Sequence, residues 1–169
     1  MYDAKYFFKM SDQSKAIRNA AKALIIRDNH VLVISKRDSQ GLCYLLPGGG
    51  QNHGETLEQT LRRECLEEIG ATVEIGKLLF VREFIGRNHL DNCVPKDDWV
   101  NKHHGVDFIF ACNIPDDYMV GNGRLPDEGQ ESVEWLAIAY LDRYRLFPSM
   151  LKYLLVNQVT HEVYIGDIK

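Results

Sequence analysis

The sequence lacks a Cys-x-x-Cys pair: Cys43, Cys65, Cys93 and Cys112 stand far apart. That excludes a zinc site and a redox motif, and it leaves four free thiols, most of them expected to fill core. Nor is there a surplus of basic residues, since 20 Lys and Arg against 24 Asp and Glu give a formal net charge of −4. Binding to long RNA or DNA is driven by counterions displaced around clustered Lys and Arg, so no nucleic-acid polymer is expected as a partner. No apolar run reaches the length of a membrane-spanning helix, and the start MYDAKYFFKMSDQSK lacks the continuous apolar core of a secretory signal. No membrane partner and a cytoplasmic location are the expectations. Internal repeats and low-complexity tracts are also absent.

What is present fits one globular domain over residues 1–169, with residues 1–18 as an N-terminal extension and 45% apolar content to form a core. Strands and helices alternate along the chain. Ala20 to Arg27 and Val31 to Lys36 are apolar runs split by Asp28-Asn29-His30, which predicts a β-hairpin. Leu42 to Leu46 predicts a short third strand leading into Pro47-Gly48-Gly49-Gly50, a loop without side chains to obstruct the approach of backbone to a phosphate or metal. Beyond the next helix, strands are predicted within Thr72 to Ile85, Val106 to Ile114 and Ser132 to Ile138, and a final helix from about Pro148 to Val156.

The most informative stretch is GGQNHGETLEQTLRRECLEEIGA, from Gly49 to Ala71. Thr56 followed by Gln59 fits a capping box and Gly70 a C-terminal cap, so a helix is predicted from about Leu57 to about Ile69. At roughly 100° per residue, Leu57, Leu61, Cys65 and Ile69 form one apolar stripe, while Glu64, Glu67 and Glu68 share an arc of about 100° on its flank. Glu68 projects between Leu57 and Leu61. Carboxylates crowded at the edge of a buried stripe are costly unless a cation offsets their charge, and oxygen ligands suit a hard one such as magnesium. Arg63, four residues before Glu67 and eight after Glu55, is placed to pair with both. An ordinary surface helix is the competing explanation for any one of these acids. It does not account for Gly49, Glu55, Arg63, Glu64, Glu67, Glu68 and Gly70 together, a coincidence on the order of 10⁻⁸ at a given start if each residue type has a usage of about one in fifteen.

This stretch resembles the Nudix box, Gly-x5-Glu-x7-Arg-Glu-U-x-Glu-Glu-x-Gly-U with U a bulky apolar residue. Every fixed letter is met, and the two U positions hold the smaller Cys65 and Ala71. The resemblance implies an α/β (α+β) fold, the Nudix-type α/β/α sandwich with a mixed sheet between helices. It also implies a hydrolase acting on phosphorus-containing acid anhydrides, one that cleaves a nucleoside diphosphate linked to another group with the help of Mg2+ or Mn2+. Glu64, Glu67 and Glu68 match the family's metal-binding acids, and Gly49 matches the glycine whose carbonyl can join them. Glu55 and Arg63 match its structural ion pair. On this reading Glu64, Glu67, Glu68 and Arg63 form the catalytic set.

Positions outside the box are less determined. The general base is either Glu64 or a loop acid among Asp127, Glu128 and Glu131, and no fixed spacing picks one. Lys36 and Arg37 end a strand near the glycine loop, and Arg37 is a candidate phosphate or nucleotide contact; Glu83 is a candidate extra ligand. Trp99 and Tyr118 either stack on a base or anchor their loops. His103 and His104 are left out of the site because magnesium prefers oxygen. Arg18 and the aromatic start Tyr6-Phe7-Phe8 either cover the domain or form a subunit contact that makes a homodimer. The expected substrate is a small nucleotide, foremost a nucleoside diphosphate sugar such as ADP-ribose. A (deoxy)nucleoside triphosphate is the near alternative, and a non-catalytic nucleotide-sensing module is the alternative of another class.

Overall fold

In the computed structural model, residues 16–38, 40–89, 99–159 and 162–169 are described. Cys93, the Tyr6-Phe7-Phe8 start and the Trp99 side chain lie outside them. Eight strands form the sheet system: β1 Arg18–Arg27, β2 His30–Asp38, β3 Gly41–Leu45, β4 Glu74–Ile85, β5 His104–Asn113, β6 Gln130–Ala137, β7 Leu146–Phe147 and β8 Tyr164–Asp167. The helices are α1 Leu57–Ile69, α2 Trp99–Lys102 and α3 Met150–Val156. The strand order is β7-β3-β2-β1-β5-β4-β8, with β6 on β2. β1 runs parallel to β5, and β4 is antiparallel to β5. This is the mixed sheet expected, and helices cover both of its faces. Among the described residues no helix is long and apolar enough to cross a membrane.

Strand alternation divides the core in two. Ala21, Ala23 and Ile25 of β1 and Leu32 and Ile34 of β2 point to α1, where they meet Leu61, Cys65 and Ile69. Leu24, Val31 and Val33 point the other way and pack with Phe80, Ile109, Leu151 and Leu154. The small residues at the two U positions, Cys65 and Ala71, are both buried in the first of these clusters.

The predicted hairpin is only partly a hairpin. Asp28 (φ 48°) and Asn29 (φ 58°) make its turn in the left-handed region, and β1 pairs with β2 at Ile26–Val31 and Arg27–His30. Farther on, β2 turns its edge to β3, while β6 pairs along its other edge. The edge of β1 thus vacated takes the glycine loop. Ala23 N donates to Pro47 O at 2.8 Å, Ala21 N to Gly49 O at 3.0 Å, and Gln51 N to Asn19 O at 2.9 Å. The loop without obstructing side chains is therefore stitched to the central strand by its backbone. The final helix begins at Met150 rather than Pro148, and β7 and β8 were not expected from the sequence.

Candidate active site

The helix carrying the acids is fixed at both ends. Thr56 Oγ1 accepts from Gln59 N at 3.2 Å while Gln59 Oε1 accepts from Thr56 N at 2.8 Å, a reciprocal capping box. Gly70 closes the helix in the left-handed region at φ 66°. The helix spans Leu57–Ile69, the bounds the caps predict.

Arg63 is the hub of the N-terminal half of α1. Its Nε and Nη2 donate to Glu55 Oε1 and Oε2 at 2.8 and 2.9 Å, a bidentate pair. Nη1 donates to Glu64 Oε1 at 2.8 Å and to Glu67 Oε2 at 3.2 Å, and Nη2 also reaches the Gly50 carbonyl at 3.1 Å. The hydrogen bonds from Arg63 hold the Glu55 carboxyl down to about 2, and the same bonds, accepted by Glu55, raise the Arg63 guanidinium in return. One guanidinium thereby ties the glycine loop, the loop acid and two helix acids together.

A second cluster forms toward the C-terminal half. One oxygen each from Glu64, Glu68 and Asp127 lies within 4.8 Å of the others. Glu64 reaches this point over bare backbone: a Cβ on Gly49 would stand 2.5 to 2.6 Å from the Glu64 carboxylate atoms, so any side chain there would displace it. Glu68 is 1% exposed; its Oε2 accepts from Gly48 N at 2.7 Å, but its Oε1 is buried with no hydrogen-bond partner among the described residues. Burial pushes the Glu68 carboxyl up to about 7, against the opposing pull of Lys22 and the Gly48 amide. Burial also disfavours ionisation of Asp127, yet the Lys36 ammonium at 2.6 Å, helped by Lys22, holds that carboxyl below its ordinary value.

Asp127 comes to the cluster because its loop captures the orphan carbonyls of α1. Gly123 N donates to Glu68 O at 2.9 Å, Leu125 N to Glu67 O at 3.1 Å, and Gln130 Nε2 to Glu68 O at 2.8 Å. Gly123 lies so close to the helix end that a Cβ would stand 2.2 Å from Glu67 O. Tyr118 packs as a local anchor, its hydroxyl donating to Ile69 O at 2.7 Å.

The remaining candidates have partners of their own. Glu67 faces Arg63 rather than the three-oxygen cluster. The Gly49 carbonyl accepts from Ala21 N, which leaves it a second lone pair. Arg37 pairs with Glu131 at 2.6 Å, and Glu83 accepts from the Tyr164 hydroxyl at 2.7 Å and lies 3.6 Å from His104. Sequence reasoning did not single out Asp127 from its neighbours and passed over Lys22, whose Nζ donates to the Gly48 carbonyl. A signal for Lys22 did exist: it is an ammonium within an otherwise apolar strand run.

An all-oxygen set suits a hard divalent cation. Two features fit such an ion: an oxygen of Glu68 buried without a partner, and a glycine whose missing Cβ makes room for Glu64. Charge from a cation would relieve the cost that burial imposes on Glu68.

Residues 16–155 match the profile of the NUDIX domain. A protein of Methanocaldococcus jannaschii named ADP-ribose pyrophosphatase is 38% identical over 64 residues, a stretch covering 37% of each chain. The matched stretch thus spans little more than a third of that relative. Among solved structures, a MutT NUDIX hydrolase from Burkholderia pseudomallei is similar with a TM-score of 0.59 and 26% identity, covering 86% of this chain and 99% of that one. An ADP-ribose pyrophosphatase from Streptococcus suis superimposes with a TM-score of 0.57 at 15% identity, covering 90% and 100% of the two chains.

Proposed function

The chain belongs to the Nudix family of hydrolases, and from that premise we propose that it cleaves the diphosphate linkage of a nucleoside diphosphate sugar, ADP-ribose foremost. The observation that carries the reading is the cluster of Glu64, Glu68 and Asp127 around the glycine loop, with one Glu68 oxygen left unpartnered. The name of the partial relative from M. jannaschii supports the choice of ADP-ribose.

Glu64 and Glu68 would hold Mg2+ or Mn2+ with the Gly49 carbonyl, and Glu67, which faces Arg63 at 3.2 Å, would join them by exchanging that contact for the cation. A bound divalent cation offsets charge on the phosphate oxygens and lowers the pKa of a water. Glu55 and Arg63 hold Glu64 and Glu67 in place through the network above. Asp127 stands at the exposed side of the cluster and, kept ionised by Lys36, accepts the proton of the attacking water. The substrate is small, and no path for a nucleic-acid polymer is invoked.

The test is incubation with Mg2+ and, separately, Mn2+ over ADP-ribose, other nucleoside diphosphate sugars, dinucleoside polyphosphates and nucleoside triphosphates, with products separated by chromatography. AMP and ribose 5-phosphate from ADP-ribose are the expected products. Preferential cleavage of triphosphates would replace the substrate, and tight nucleotide binding with no turnover of any compound would replace the enzyme with a sensor.

A further inference from the structure

We propose that Lys22 is a substrate-contacting residue whose ammonium takes a non-bridging oxygen of the diphosphate. The inference rests on the hydrolase reading above and adds to it a cation that the acid-rich box does not supply.

Three observations converge on this side chain. First, it stands on an apolar strip. Lys22 lies opposite Ile109 of β5 and on the same face of β1 as Leu24, both buried. Lys22 itself is part-buried, its stem on the apolar strip and its ammonium turned to the glycine loop. Second, among the described residues its ammonium is in salt-bridge contact with no carboxylate. Arg63 is held by Glu55, Glu64 and Glu67, Lys36 by Asp127, and Arg82 by Asp107 at 3.0 Å and the Ile168 carbonyl at 2.7 Å. Lys22 instead donates to a neutral carbonyl, that of Gly48. An ammonium has three N–H donors, so it can keep that contact and still offer two to a phosphate.

Third, Lys22 stands at a boundary. Toward α1 its charge acts on both Glu68 and Asp127 of the acid cluster. Away from it, the same side chain lines a small cavity of about 40 Å³ with Leu46, Arg82, Asp107, Phe147 and Pro148. A diphosphate held at the acids therefore meets the ammonium on that side of the cluster. Hydrogen bonds from a cation to a phosphate oxygen are stronger than those to a neutral carbonyl, so the substrate draws the side chain without dismantling the loop.

The discriminating experiment measures two affinities that should not weaken together. Mn2+ alone reports the acid cluster, and methylenebisphosphonate with saturating Mg2+ reports the diphosphate position, both by titration calorimetry on the full chain. For K22M the bisphosphonate should bind about tenfold more weakly or worse, while Mn2+ binds equally or more tightly because a repelling charge is gone. Parallel weakening of both would reduce Lys22 to a support of the glycine loop and overturn the proposal, as would an unchanged bisphosphonate affinity. If K22M does not fold, K22R decides: retention within about threefold supports the proposal, and a loss of about tenfold overturns it. Absence of turnover in the wild type would remove the hydrolase reading separately, since the binding split alone judges Lys22.

Discussion

At the N-terminal end of α1, Glu55 has every charge partner a carboxylate can use: both oxygens on Arg63, the Asn52 amide at 3.1 Å and the Thr60 hydroxyl at 2.9 Å. Near its C-terminal end Glu68 is more deeply buried, yet among the described residues it has one backbone amide and an oxygen with no hydrogen-bond partner. The acid just before the helix and the acid near its end are thus treated in opposite ways. A finished ion pair holds shape, whereas an unfinished one in a low-dielectric setting reserves a place for charge that arrives later. On the proposed function the Glu55 end is the scaffold and the Glu68 end is the working site.

The largest effect should follow from Glu68→Gln, which removes charge with little change of volume. Turnover is expected to fall by more than about a hundredfold, while circular dichroism stays native and Mg2+ no longer raises the Tm. Next comes Gly49→Ala, whose new Cβ would meet the Glu64 carboxylate and push it out of the cluster. A loss of about ten- to a hundredfold in kcat/KM is expected with little change in Tm, and full activity would show that Glu64 need not pass over that backbone.

Arg63→Ala breaks the finished end. Because this hub is partly exposed, with side chains about a quarter accessible at Glu55 and Arg63, the stability cost should be only about 1–2 kcal/mol in urea unfolding. Activity should fall by about tenfold through misplacement of Glu64 and Glu67. A cost confined to activity, with no change in stability, would remove the contrast between scaffold and working site.

The smallest effect is a pH dependence with a definite sign. The folded Glu68 carboxyl is raised to about 7, above the ordinary 4.5, so between those values the folded state binds the extra proton. Stability of the metal-free protein should therefore fall as pH rises from about 4.5 to about 7. Divalent cation should abolish that slope, and Glu68→Gln should lack it. Tm against pH, in chelator and in Mg2+, measures all three cases.

How much of this was legible in the sequence follows the same division. The bounds of α1 were readable because Thr56, Gln59 and Gly70 act within a turn of the residues they cap. Strands β1 to β6 were readable in outline from their apolar runs, with ends displaced by a few residues. The two-residue β7 and the short β8 gave no such pattern, since parallel pairing with distant strands defines them. Asp127 was hidden for a like reason. Its selection over Glu128 and Glu131 depends on contacts from the Gly123 and Leu125 amides to carbonyls at the end of α1, and no local spacing encodes those. The parting of β1 from β2, which admits the glycine loop, is likewise a property of the sheet and not of the hairpin sequence.

The most direct test of the central claim is hydrolysis of ADP-ribose by the wild type and by Glu68→Gln, each with Mg2+ and with chelator. AMP and ribose 5-phosphate are expected from the wild type in Mg2+ alone, and none from the folded variant under either condition. Equal product from wild type and variant, or product undiminished by chelator, would contradict that claim.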